Sequence, residues 1–211
     1  RWFDEALTGR FSLFTMERDD VQIGTSIVRD RPDGSSEFIQ LTGNAAEGTN
    51  RGLEMELTWS VMETLEIFGS LGLLDTEFRN FVNSAGEDLD GAEQAHAPRY
   101  QFFIGAEYRS SRGFYARFEL EGRDEFYYSD SRRFSDRPGD LISDPYELVN
   151  AAIGYERARW DVRVWGRNLA DEDYTIRGFY FPNDPRDGYT ERGWFQLGDP
   201  RRYGVTFNLK F

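Results

Sequence analysis

Residues Arg201-Arg-Tyr-Gly-Val-Thr-Phe-Asn-Leu-Lys-Phe211 decide the fold. Side chains alternate across an extended chain, so Tyr203, Val205, Phe207, Leu209 and Phe211 share one face. Arg202, Gly204, Thr206, Asn208 and Lys210 share the other. In a soluble sandwich the apolar face would turn to a core. A half-apolar strand that ends on an aromatic is also the usual close of an outer-membrane barrel.

Composition permits that reading. The chain has 211 residues, 39% hydrophobic and 30% charged, with a mean hydropathy of -0.66, the average of a soluble domain. Averages mislead for barrels, because a spanning strand of about ten residues needs only about five apolar ones. No apolar run approaches the roughly 18 residues of a spanning helix, so helical spanning is excluded. The 16% of aromatic residues and the 21 glycines suit a β-rich chain with aromatic belts, while the absence of cysteine decides nothing. A net charge of -13 with no clustered basic face argues against a nucleic-acid partner. The cations are arginines except for Lys210. The sequence opens at Arg1 without an initiator methionine or signal peptide, which leads us to expect that something upstream has been removed or omitted.

Period-two alternation recurs along the chain and predicts about eight strands. The first covers about Leu7 to Val28 and reverses at Asp30-Arg-Pro-Asp-Gly34. A long return strand from Glu37 to Ser60 is interrupted by a bulge near 43–48, then alternates with Leu53, Met55, Leu57 and Trp59 outward. A short turn at Val61 to Thr64 leads to a third strand with Leu65, Ile67, Leu71 and Leu73 outward, followed by a polar loop from Arg79 to Pro98. The fourth and fifth strands flank a tight turn at Ser110-Ser-Arg-Gly113. A second long loop, about Ser129 to Asp144, precedes the sixth strand. After a turn at Glu156 to Arg159, the seventh begins at Trp160. The third and longest loop, Ala170 to Pro200, leads to the closing strand. Short and long connections alternate, the sorting of tight periplasmic turns and extended extracellular loops.

The inward positions interleave charge: Glu54, Glu56, Glu107, Arg109, Arg117 and Glu119 among others. Such a wall could hold itself rigid, grip a plug in the lumen, or simply be solvated. Exposed loop aromatics suggest a ligand mouth, with Phe126, Tyr127, Tyr128, Phe179, Tyr180 and Trp194 offering flat faces and Arg132, Arg133 and Arg177 offering charge. The same rings could instead pack the loops on one another. Enzymatic chemistry finds no support: there is one histidine, His96, no cysteine, and the carboxylate pairs are no more than 38 acidic residues give by chance. The expectation is no catalytic residue, no metal site and no cofactor.

Three segments carry a family resemblance. Arg167-Asn-Leu-Ala-Asp-Glu-Asp-Tyr174 resembles the Asn-Leu-x-Asp-x-x-Tyr segment of TonB-dependent outer-membrane receptors. Leu197-Gly-Asp-Pro-Arg-Arg-Tyr-Gly-Val-Thr-Phe207 is similar to that family's entry to its last strand, and Asn50-Arg-Gly-Leu-Glu-Met-Glu-Leu57 to its Gly-x-Glu-x-Glu strand. The resemblance implies an all-β antiparallel transmembrane barrel of which residues 1–211 form about the last eight strands, where the family has about 22 and a plug domain. It implies uptake of a scarce small-molecule cargo, most commonly a ferric siderophore, energised through TonB, in the Gram-negative outer membrane. Arg202, Gly204, Phe207, Leu209 and Phe211 are similar to the signal read by the barrel-assembly machinery. Two other readings of the residues stay open. One is a complete eight-stranded barrel with a structural or adhesive role, and the other a soluble carbohydrate-binding β-domain.

Overall fold

A computed structural model describes residues 6–82, 88–129, 142–181, 184–187 and 192–210. They form ten strands: β1 (Leu7–Asp30), β2 (Ser36–Met62), β3 (Leu65–Arg79), β4 (Tyr100–Arg109), β5 (Phe114–Arg123), β6 (Tyr146–Glu156), β7 (Trp160–Arg167), β8 (Thr175–Phe181), β9 (Arg192–Leu197) and β10 (Arg202–Leu209). Among the described residues the only helical element is one 3-10 turn at Pro185–Asp187, so no helix is long and apolar enough to cross a membrane.

Eight strands make one antiparallel sheet in the order β1-β2-β3-β4-β5-β6-β7-β10, while β8 and β9 pair as a separate hairpin. Among the described residues, β1 and β10 each pair on one side and not with each other. The sheet is a wall with two edges rather than a closed eight-stranded ring.

Register turns eight alternating sequences into two continuous faces. Phe11 lies opposite Met55, Met55 opposite Leu71, and Leu71 opposite Phe102. Farther along, Phe118 lies opposite Ala151, Ile153 opposite Val164, and Val164 opposite Val205. These residues build a single apolar face that nothing among the described residues covers: Leu13 is 69% exposed, Ile153 63% and Val205 69%. Each large side chain left in water forfeits roughly 1.5–3 kcal/mol relative to burial, so this face calls for an apolar solvent. The opposite face carries the charged residues, as the alternation predicts. The one buried apolar cluster among the described residues, Phe78, Phe81 and Leu89 with Val21 and Ala92 against it, sits at the root of the 80–99 loop rather than beneath the sheet.

Glycine and aromatic residues face each other across the strands. Phe14 lies opposite Gly52, Phe68 opposite Gly105, Tyr115 opposite Gly154 and Trp165 opposite Gly204, all on the polar face. In each pair the ring lies over the glycine so closely that an added Cβ would collide with it. The aromatic thus restores the packing that a glycine removes from a strand and covers its backbone.

The long first hairpin and its bulge near 43–48 follow the alternation reading, while a second irregularity at Asp19 and Asp20 and a hairpin within 170–200 are additions to it. The β1–β2 hairpin turns at residues 31–35 and is much longer than a membrane strand: the 27 residues of β2, at about 3.3 Å each, reach roughly 85 Å. Its register is broken twice. Asp19 and Asp20, the latter with φ of 54°, lie between the partners Arg18–Gly48 and Val21–Ala46, and Ala45 is skipped on β2 within the expected 43–48 segment. Finally, the stretch from Ala170 to Pro200 is not a plain loop but holds the β8–β9 hairpin.

Candidate functional site

The polar face of the sheet is organised by a ladder of ion pairs. Arg117 sits between Glu119 at 2.6 Å and Glu107 at 3.2 Å. Glu107 also meets Arg109, which reaches Glu156 at 3.3 Å, and Glu156 accepts from Lys210 at 2.9 Å. The ladder therefore runs β5, β4, β6 and the end of β10. Rings lie under its cations, Phe68 4.7 Å from Arg117 and Tyr115 5.1 Å from Arg109. Exposed pairs of this kind each add little to stability, but a stacked and branched set fixes the direction in which every side chain points. A depression of about 650 Å³ lies over this ladder and extends to Arg163, Trp165 and Thr206.

At the end of the sheet where the long connections lie, the loops pack on each other around Arg123, the last residue of β5. Its guanidinium lies over Phe126 at 4.4 Å and Tyr146 at 5.1 Å, and Nη2 donates to the carbonyls of Thr175 at 3.2 Å and Ile176 at 3.4 Å in β8. Phe126 meets Tyr128 edge-on, Tyr128 meets Phe195 of β9 at 5.1 Å, and Gly178 lies against the Tyr128 ring. Burial pushes the Tyr128 phenol up from its ordinary value, against a hydrogen bond with Thr175 that lowers it. His96, from the 80–99 loop, donates its backbone amide to the Tyr127 carbonyl and lies beside Phe126 at 5.5 Å. A second polar knot ties that loop to the β1–β2 hairpin. In it Gln94 donates to Asn50 at 3.0 Å and takes a hydrogen bond from Arg18, while its backbone amide donates to Thr76.

The two legs of the β8–β9 hairpin are stapled together. Asn168 is 3% exposed, with a φ of 48° that asparagine tolerates better than most residues. Its Nδ2 donates to the carbonyls of Glu172 and Asp199, and its Oδ1 accepts from the Glu172 amide. Arg201 donates through its backbone amide and Nη2 to the two Asp171 oxygens, and Gly198 lies against the Tyr174 ring. The two segments that resemble family motifs at the end of the sequence are thus the two sides of one staple.

The expected ligand residues fall into separate groups. Phe126 and Tyr128 are buried between loops, at 4% and 6% exposure, so packing occupies both rings. Tyr127 is half-buried and bridges to Ile142. Arg177 and Trp194 are exposed on the hairpin, where Phe179 is the register partner of Trp194 and Arg177 of Gln196. Tyr180 lies opposite Gly193. Arg132 and Arg133 lie outside the described residues. Of the assembly-signal residues, Arg202 pairs with Asp199, Gly204 lies under Trp165, and Phe207 and Leu209 stand exposed on the apolar face of the edge strand. Phe211 is outside the described residues. The sequence reading counts Arg123 only among the inward-facing charges of the wall, and its contacts and the hairpin it holds were not visible there. Among the described residues no cluster of three or more His, Cys, Asp or Glu side chains could hold a metal ion.

The family described as TonB dependent receptor-like, beta-barrel matches residues 1–169. Among solved structures, the ferric-catecholate import receptor Fiu of E. coli K12, in its closed form, superposes with a TM-score of 0.66 at 18% identity over 99% of this chain and 26% of its own. The ferric yersiniabactin uptake receptor FyuA of Yersinia pestis gives 0.73 at 18% identity, over 100% of this chain and 28% of its own. The copper transporter OprC gives 0.67 at 15% identity, over 98% and 29%. These identities establish likeness of fold. The chain spans little more than a quarter of the length of each of these proteins.

Proposed function

We propose, because this chain belongs to the TonB-dependent receptor β-barrel family, that it is the C-terminal part of the barrel of an outer-membrane receptor importing a scarce ligand, a ferric siderophore. The observation that carries the membrane part of this reading is the apolar face running unbroken over eight strands. Turned to lipid, its large side chains regain the transfer free energy they lose in water, while antiparallel ladders between successive strands pair the backbone across the sheet. The polar face then lines the lumen, and the long connections at residues 80–99, 124–145 and 168–201 lie outside the cell. Because β1 and β10 do not pair with each other, neighbouring wall has to come from strands beyond this chain.

Cargo would meet the outward face of the β8–β9 hairpin, where Arg177 supplies a cation and Trp194 supplies flat apolar surface. Fiu is by name a ferric-catecholate import receptor, FyuA a ferric yersiniabactin uptake receptor and OprC a copper transporter, so metal, free or complexed, is the cargo class common to these names. Energy would arrive through TonB by way of parts of the receptor outside this chain. The exposed edge and apolar row of β10, with Phe207 and Leu209, suit recognition by the barrel-assembly machinery. In this role the chain binds and guides, and no reaction is assigned to it.

The test is growth of an iron-starved strain that lacks its own siderophore receptors and expresses the parent receptor. Rescue by at least one ferric siderophore, lost in a TonB-deficient strain and weakened tenfold or more in half-saturating concentration by Arg177→Ala with Trp194→Ala, is the expected result. Rescue that persists without TonB would contradict the mechanism, and rescue indifferent to the two substitutions would contradict the hairpin assignment.

A further inference from the structure

We infer that Arg123 is a positioning residue that makes the outer loops a single body, so that the hairpin face carrying Arg177 and Trp194 cannot shift without moving the 80–99 loop. The inference rests on the reading of that face as the cargo-contacting one, and extends it to how contact there is relayed.

Three independent features converge on Arg123. The first is its cradle. The guanidinium lies over both Phe126 and Tyr146 while Nη2 reaches the β8 carbonyls, a combination of stacking and donation that suits a planar guanidinium better than a compact ammonium. Its Nε is buried without a hydrogen-bond partner among the described residues, so the contacts seen there are those of the rings and Nη2. The second is the shape of β8. The register jumps from Thr175–Leu197 to Arg177–Gln196, leaving Ile176 as a bulged residue. A bulge takes its residue out of the ladder, and the two carbonyls that receive Arg123 are those of Thr175 and Ile176. The hairpin is irregular at the place where the wall reaches it. The third is what touches the cradle from elsewhere. Phe126 contacts His96 on one side and Tyr128 on the other, and Tyr128 packs on Gly178 and Phe195. Tyr146 in turn meets Tyr174 at the hairpin's root at 4.6 Å.

The loops are thus packed around one side chain rooted in the wall, whose ring partners Phe126 and Tyr146 carry the contacts onward, the arrangement in which discrete packing rather than gradual bending carries a displacement. A hairpin hinged only at its stapled legs would instead open alone.

Hydrogen exchange on the parent receptor tests this without any ligand, so failure of the cargo assignment leaves the outcome readable. In Arg123→Ala, segments 93–99, 124–129 and 175–181 should exchange at least tenfold faster and in step, with β4 unchanged. Arg123→Lys, which keeps the charge but not the plane, should exchange like the alanine variant. Acceleration of 175–181 alone would overturn the single-body inference, and wild-type exchange in either variant would overturn the role of Arg123. Should the alanine variant fail to assemble, the wild-type protein still decides. Under conditions where opening limits exchange, the three segments should share one opening rate, and rates more than tenfold apart would contradict the inference.

Discussion

At the scale of single residues, the most constrained side chain described is Asn168. Its amide closes three hydrogen bonds to the chain that leaves β7 and the chain that enters β10, and its own backbone amide donates to Asn150 at 3.0 Å. Replacing it by alanine orphans the Glu172 amide and two carbonyls in a nearly buried site and puts a poorly suited residue at positive φ. The expected cost is about 2–3 kcal/mol of local stability. It should appear in Asn168→Ala as exchange of segment 168–174 accelerated about thirtyfold or more. Unaltered exchange would show that the Arg201–Asp171 contacts hold the staple alone. The motif containing Asn168 was visible in the sequence, but its purpose was not, because one partner stands 31 residues away. Arg123 was hidden for a similar reason. On the sequence it is one charge among many on an alternating strand, and its acceptors lie 52 and 53 residues on. Phe126 and Tyr128 looked like exposed aromatics because a loop ring has the same signature whether it faces solvent or a neighbouring loop.

At the scale of elements, the strands whose two faces meet different surroundings were legible, since alternation of apolar and polar residues is the direct imprint of that difference. The observed bounds of β4, Tyr100–Arg109, and of β5, Phe114–Arg123, follow the alternation and the intervening Ser110–Gly113 turn. The β8–β9 hairpin was not legible. Gly178 and the bulge at Ile176 interrupt its alternation, and the intervening residues Pro182 to Gly188 are rich in turn formers. The tip of the β1–β2 hairpin lends itself to titration. Hydrogen bonds from Arg31 and Arg29 hold the Glu37 carboxyl at about 2, below its ordinary value of 4.5. A carboxyl lowered on folding contributes stability that is whole above its unfolded value and is lost as pH falls through its folded value. The Glu37 contribution should therefore be intact above about pH 4.5 and fade toward pH 2. Carboxyl carbon resonances of the parent receptor should place the Glu37 midpoint near 2, and Arg31→Ala should raise it. A midpoint near 4.5 in the unaltered protein would mean that the Arg31 and Arg29 contacts do not persist in solution.

At the scale of the whole molecule, the described residues form a wall whose one buried apolar cluster lies at a loop root rather than beneath the sheet. Its largest apolar surface faces outward, its charges face the other way, and its buried residues gather where loops meet. That inversion is why composition alone, with a mean hydropathy of -0.66, suggests a soluble domain while the register of eight strands does not. Which side meets lipid is the claim on which the remaining assignments depend. The most direct test places single cysteines, each carrying an environment-sensitive fluorophore, along β5 and β10 of the parent receptor in vesicles of brominated lipid. Labels at Phe118, Leu120, Val205 and Phe207 should be quenched by the lipid, and labels at Glu119, Glu121, Thr206 and Asn208 by a water-soluble quencher. Quenching from water at all eight positions, or a loss of alternation along either strand, would contradict the account.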